Sequence, residues 1–379
     1  MTEDVPTHPL ILGQCSHCGL AQLLNPAPPE LVKPPALMQF SEPQGHLDVL
    51  VDRLVRLPGI SPASRICGVT REDATTLERL HARGYRDTTL FTPDKHLQIH
   101  DPCAGLETIQ ARFTPAWAET LVNRHGEFDI VIVRRCLEHA HNLKQLVGAI
   151  KRLIAPQGYV VFEVPDCTTM FDVLDYSFVW EEHVAYFTPE TLVRTLRSLG
   201  LSPEFVVTYP SPLEGSLVVV ARYPRGSAKT TRADQSVSAS EVARVARYVA
   251  EFPARRRLWQ EALGKLQRQH PVALLGAGHL AVTFINLLGL EPLIDAVCDD
   301  APDKVNRFIP GTQLRISPSN VLLQHSFGAC LMAVAPESEP KVLARNQEFI
   351  QRGGRFASIF PASDHALRMD AAEEEWDES

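Results

Sequence analysis

The chain has 379 residues, 45% hydrophobic and 22% charged, which excludes a disordered protein and leaves room for two or three domains, each with its own core. Its net charge of -8 falls to -2 without the six acids of residues 370–379, so the body is nearly neutral and a basic nucleic-acid surface is excluded. No apolar run is long enough to span a bilayer, and Met-Thr-Glu-Asp-Val-Pro at the start lacks the basic and apolar regions of a signal peptide, so a cytoplasmic protein without a membrane partner is expected.

Cysteine usage comes first in chain order. Cys67, Cys103, Cys136, Cys167, Cys298 and Cys330 lie in apolar contexts and read as reduced thiols. Only Cys15 and Cys18 have the spacing of a metal knuckle. Tetrahedral zinc needs four ligands and one such pair supplies two, with His8 and His17 the nearby candidates for the rest. Residues 1–44 therefore read as an arm carrying either a remnant zinc module or a plain reduced pair. Pro26, Pro28, Pro29, Pro34 and Pro35 predict an extended linker within it.

From residue 45 to 223 the pattern alternates as an α/β domain does. His46 to Leu57 has helical apolar spacing, Arg65 to Val69 is a first strand, Thr75 to Gly84 a helix and Thr88 to Phe91 a second strand. Phe128-Asp-Ile-Val-Ile-Val133 and Tyr159-Val-Val-Phe-Glu-Val164 are strands covered on both faces, separated by a helix from Leu143 to Ile154. Thr188-Pro-Glu opens a capped helix that Gly200 closes, and runs at Phe205–Tyr209 and Ser216–Ala221 complete the sheet.

Residues 224–240 are small and polar and suit a linker. Helical segments continue to about Gln269 with an interruption expected at Pro253. A second, Rossmann-like α/β domain then extends from 241 to 365, ahead of an acidic tail over 366–379. Its first turn, Gly276-Ala-Gly278-His279-Leu-Ala281, has the spacing of a phosphate-binding turn, with Asp299 or Asp300 where a ribose-binding acid is expected. Glycines needed only for close helix–strand packing explain the same spacing.

The polar clusters that stand out are Glu138-His139 and Trp180-Glu-Glu-His-Val-Ala-Tyr-Phe187. Both supply groups that move protons near neutral pH, and the Glu138-His139 cluster lies where doubly wound folds place their chemistry, just beyond the carboxyl end of a strand. The plainer readings are a polar residue bonding backbone at a strand end for His139, a solvated pair for Glu181 and Glu182, and core anchors for Tyr186 and Phe187.

Taken in order, Cys15-Ser-His-Cys-Gly-Leu-Ala-Gln22, Phe128 to His139, Ile154 to Pro165, Glu182-His-Val-Ala-Tyr-Phe187, Glu214-Gly-Ser-Leu217, Gly276-Ala-Gly and Ile309-Pro-Gly-Thr312 resemble three-part C-methyltransferases that act on nucleotide-linked deoxy-keto sugars. The resemblance implies a zinc module, a class I methyltransferase domain binding S-adenosylmethionine, and a C-terminal Rossmann-like domain. It implies His183 as the base that removes the proton beside a ketone, with His139 second and Glu182 as orienting or proton-sharing partner. Gly68, Thr70, Thr92 and Asp94 fall on cofactor-binding positions. Trp180, Tyr186, Gly276, Gly278 and His279 fall on positions for the nucleotide-linked substrate.

The chain departs from that pattern in the turn after its first strand, Gly68-Val-Thr-Arg-Glu-Asp-Ala74, which has one glycine, and in Thr92, which stands where a ribose-binding acid is usual. Two other readings stay open: a methyltransferase-like module without cofactor that binds, scaffolds or does acid–base chemistry alone, and a nucleotide-dependent oxidoreductase using the C-terminal turn.

Overall fold

The computed structural model describes residues 7–32, 44–101, 104–211, 214–224, 236–324 and 326–368. Pro34, Pro35, Cys103, most of the linker at 224–240 and nearly all of the acidic tail lie outside the described residues. The chain divides into two compact units. The larger holds Leu10–Thr168 and Glu181–Val242, while the other takes in Thr169–Trp180 and the chain from Ala243 onward.

The larger unit is built on six strands: β3 (Ile66–Gly68), β4 (Thr88–Leu90), β5 (Phe128–Arg134), β6 (Ile154–Asp166), β8 (Ser202–Tyr209) and β9 (Gly215–Arg222). They are ordered β4-β3-β5-β6-β9-β8, parallel from β4 to β6 and antiparallel at β9 and β8. Two helical layers cover the sheet, and strand alternation divides the core between them. Val131, Val133, Val160 and Phe162 face Leu146, Val147, Ile150 and Leu153 of the helix Leu143–Leu153. Ile130, Ile132 and Val161 face Leu47, Leu50, Val51 and Leu54 of the helix His46–Leu54. Residues buried on both faces explain why β5 and β6 read as unbroken apolar runs.

A second, three-stranded sheet in this unit joins β1 (Leu12–Gln14) and β2 (Ala21–Leu23), a hairpin around Cys15 and Cys18, to β7 (Ala185–Tyr186). Ala21 pairs with Tyr186 and Gln22 with Ala185, and the Leu23 amide donates to the Val184 carbonyl at 2.9 Å. The arm is thus pinned to the segment that carries His183.

In the other unit β10 (Val272–Leu275), β11 (Ala296–Cys298), β12 (Ile316–Ser317), β13 (Ala329–Met332) and β14 (Arg355–Ser358) form an all-parallel sheet ordered β12-β11-β10-β13-β14. Its order reverses at β10, the Rossmann arrangement.

Two proline expectations fail. Pro29 opens a helical turn, Pro29–Val32, because proline's fixed φ suits a first helical position. The helix Ala239–Gln269 runs through Pro253 without interruption. Both Pro253 and Val249, whose carbonyl loses its N–H partner, are exposed, so water can take that carbonyl.

Candidate active site

The parallel strands β3, β4 and β5 deliver their carboxyl ends to one edge of the larger sheet. At β3 the chain turns from Gly68 into the helix Ala74–Ala82. Asp73, fully buried, makes this turn: its carboxylate accepts from the amides of Val69 at 2.7 Å, Thr70 at 2.8 Å and Arg134 at 2.8 Å. Burial pushes Asp73 up to about 7 against the pull of those N–H groups and of Arg134. A Cβ on Gly68 would lie 2.6 Å from the Asp73 Cβ, so the one remaining glycine is needed for the close approach. Beneath it the Arg134 Nε donates to Glu163 at 2.7 Å, and His46 lies 2.9 Å from the other oxygen of that carboxylate. Burial works against ionisation of Glu163, yet His46 and Arg134 hold it well below the usual carboxylate range.

The predicted cofactor residues divide. Thr70 is buried, its hydroxyl 3.5 Å from both Asp73 and the Arg134 carbonyl, so it faces inward. Thr92 is half-buried at the end of β4, its amide donating to His96 Nδ1 at 2.9 Å. Asp94 follows with 66% of its side chain exposed beside His100. A nucleoside methyl donor needs a tight turn after the first strand and an acid near the end of the second. The turn at Gly68 and the accessible Asp94 fit those needs.

Past β5 the chain enters Arg135 with a left-handed φ of 47° and then the short turn Leu137–His139. Arg135 reaches Glu214 at 2.9 Å and the Ser216 hydroxyl at 3.2 Å. Such a backbone is costly for a residue with a Cβ, and strain of this kind gathers at functional sites. The turn buries Glu138 (1% exposed) and His139 (8%) against His183 (7%). Ligand-capable atoms of these three residues all lie within 4.8 Å of one another. The two imidazoles meet edge to face with centroids 4.9 Å apart.

His139 Nδ1 donates to the Glu182 carbonyl at 3.0 Å, which fixes the lone pair on Nε2. Burial lowers His139 to about 4, partly opposed by that carbonyl, so the ring is neutral at physiological pH. Glu182 therefore orients through its main chain, and the orientation falls on His139. Tyr186, fully buried, has its ring 6.4 Å from that of His183. The Val184 amide donates to the Glu138 carbonyl at 2.8 Å, tying the two segments together. Arg135 was not among the residues singled out from sequence, and Glu138 stood out only as half of the Glu138-His139 cluster, with no role of its own.

Trp180 belongs to the C-terminal unit, where its ring lies 4.5 Å from that of His279. His279 is the first residue of the helix His279–Leu288, which Gly278 precedes. Gly276 has φ of 104°, and a Cβ there would come within 2.8 Å of the Ala333 carbonyl; packing requires this glycine. Among the described residues nothing lies within 4 Å of the corresponding position on Gly278, so that glycine leaves open space there. Asp299 is engaged by its own domain, accepting from the Ala277 amide at 2.8 Å, the Ala301 amide at 2.9 Å and Lys304 at 2.9 Å. Asp300 likewise holds the amide and hydroxyl of Ser319 at 2.8 and 2.9 Å.

Among the described residues, Cys15 and Cys18 are joined by no third histidine, cysteine or carboxylate in a metal-sized group. Among these residues the pair supplies two of the four ligands of a tetrahedral site. Among the same residues no helix is long and apolar enough to cross a membrane.

A family model described as a methyltransferase domain matches residues 47–204, and one described as a C-methyltransferase C-terminal domain matches residues 214–361. The C-methyltransferase NovU of Streptomyces niveus is 23% identical over 367 residues, covering 93% of this chain and 86% of its own length. Among solved structures, an O-methyltransferase family protein from Burkholderia thailandensis matches 48% of this chain and 59% of its own at 16% identity and a TM-score of 0.32. A SAM-dependent methyltransferase of Leishmania major matches 47% and 73% at 14% identity and a TM-score of 0.33. The two family matches, which between them take in both α/β domains, and the relative that spans nearly the whole chain make this chain similar to C-methyltransferases, and its methyltransferase domain marks it as an enzyme.

Proposed function

We propose that the enzyme methylates a carbon next to a carbonyl in a nucleotide-linked sugar or a related small molecule. The observation that carries this reading is the buried pair of histidines, His139 and His183, set at the mouth of a methyltransferase sheet. His183 takes the proton from the carbon beside the carbonyl, and the electron pair of that C–H bond moves onto carbon and the carbonyl oxygen. His139, neutral and oriented by the Glu182 carbonyl, is the second acid–base group. Burial of both rings excludes the water that would return the proton. The Gly68 turn with Thr92 and Asp94 would hold S-adenosylmethionine, which when bound would supply the electrophilic methyl group and leave as the demethylated thioether.

The nucleotide half of the substrate is assigned to the C-terminal unit, where Gly278 leaves open space at a helix start and the Trp180 and His279 rings offer an apolar face. Cys15 and Cys18 are read as the remnant of a zinc module, retained because its hairpin holds β7.

Calorimetric titration with S-adenosylmethionine or its demethylated product tests the cofactor half. Binding is expected, and none at millimolar ligand overturns the reading. His183→Ala is expected to keep that binding while losing about 100-fold or more in turnover. Loss of binding, or turnover left intact, would remove His183 from the role of base. One observation favours a second reading, acid–base chemistry without methyl transfer: the Val69 and Thr70 amides of the cofactor turn already donate to Asp73. The same titration separates the two.

A further inference from the structure

The geometry assigns a second capacity to the histidine pair: we propose that Glu138, His139 and His183 bind a divalent transition cation of the zinc class, and that the bound ion silences the site. The second half rests on the acid–base reading above; the first does not. Two imidazoles and one carboxylate form a donor set suited to Zn²⁺, Fe²⁺ or Co²⁺. Tetrahedral ligation at about 2.1 Å spaces ligand atoms by roughly 3.4 Å, a modest contraction for groups already within 4.8 Å.

Three further features favour a metal. All three side chains are at least nine-tenths buried, so a cation met there is shielded from competing water. His139 donates its Nδ1 proton to the Glu182 carbonyl, the outer-shell bond that orients a metal-binding imidazole and leaves Nε2 to the ion. The ligands come from two segments already tied by the Val184–Glu138 backbone bond at 2.8 Å, so little chain ordering is required on binding. One carboxylate and two neutral imidazoles leave a divalent ion with a net charge of +1 and an open position for water or an anion. With its lone pair on the metal, His183 has none for a proton. Zinc is therefore an inhibitor here, and one that a chelator reverses.

The test uses the full chain, stripped with chelator, in a Cys15→Ser/Cys18→Ser background so that the thiols cannot take the ion. Zinc and cobalt titrations by calorimetry, with cobalt also followed by its visible spectrum, are expected to show one ion per chain. Glu138→Gln should weaken binding on the order of tenfold or more, and His183→Gln should do the same with a changed cobalt spectrum. Circular dichroism establishes that each variant is folded. Methyl transfer should fall as zinc occupies the site and return on chelation. Absence of binding once the cysteines are replaced, or affinity unchanged in both folded variants, overturns the site. Stimulation by zinc overturns the inhibition. If no form of the enzyme transfers methyl groups, the acid–base reading fails while the titrations still decide the metal site.

Discussion

The mixed sheet of the larger unit and the parallel sheet of the C-terminal unit each have a glycine-bearing turn, after β3 and after β10, and the two turns are held by different means. In the C-terminal unit Gly276 adopts a left-handed φ and packs on the Ala333 carbonyl, while Asp299 arrives from the neighbouring strand to hold the Ala277 amide. In the larger unit the glycines are mostly gone, and Asp73, from within the turn itself, gathers three amides. Both acids do one job in different charge environments. Asp299, with 15% of its side chain exposed and Lys304 at 2.9 Å, overcomes its desolvation and is lowered. Asp73 has no exposure, and the nearby guanidinium of Arg134 is bonded to Glu163, so burial raises it to about 7. A turn poor in glycine can still be a tight turn if a side chain satisfies its amides.

The largest effect that could break this comparison is on folding stability. Asp73→Ala leaves three buried amides without their acceptor and is expected to cost about 3–5 kcal/mol by urea unfolding. Asp299→Ala, partly open to water, is expected to cost about 1–2 kcal/mol. Equal losses would mean that the two acids do not differ as described.

The next is a pH effect. The raised Asp73 contributes stability that is full below its unfolded value near 3.8 and is lost as pH rises toward 7. His139, lowered from 6.5 to about 4, contributes stability that is lost as pH falls across that interval. Between pH 4 and 6.5 the two slopes oppose each other. Asp73→Asn removes one of them, so from pH 4 to 6.5 the stability of the variant should climb relative to wild type by about 3 kcal/mol. A pH profile parallel to that of wild type would refute the raised Asp73.

Smaller still is the contrast between the glycines. Gly276→Ala is strained in both φ and contact and should cost about 1–3 kcal/mol by thermal unfolding. Gly278→Ala should change stability by less than about 1 kcal/mol while weakening nucleotide binding. If Gly278→Ala leaves that affinity unchanged, the open space at this turn has no part in recognition.

The sequence made some of this legible. Phe128–Val133 and Tyr159–Val164 announce central strands because burial on both faces leaves a continuous apolar run. Thr188-Pro-Glu announces its helix because a cap is a local device. Three-residue strands such as β1 and β2 carry no periodicity of their own, and their pairing with β7 spans most of a domain. Asp73 reads as an ordinary helix-start acid, since nothing local says that it captures the Arg134 amide 61 residues away. The proximity of Glu138 to both histidines depends in the same way on how two distant loops meet. His183 was found from residue type and resemblance, whereas the Glu182 carbonyl was missed because a backbone atom has no sequence signature.

The two-residue strand β7 has β2 as its partner, so the geometry around His183 depends on a hairpin drawn from the first two dozen residues. A preparation starting at residue 25 or later would keep both large sheets and pass most tests of folding. Its proposed base would lose the β2 pairing and keep the Val184–Glu138 bond, and the lowered activity would be blamed on the wrong end of the molecule.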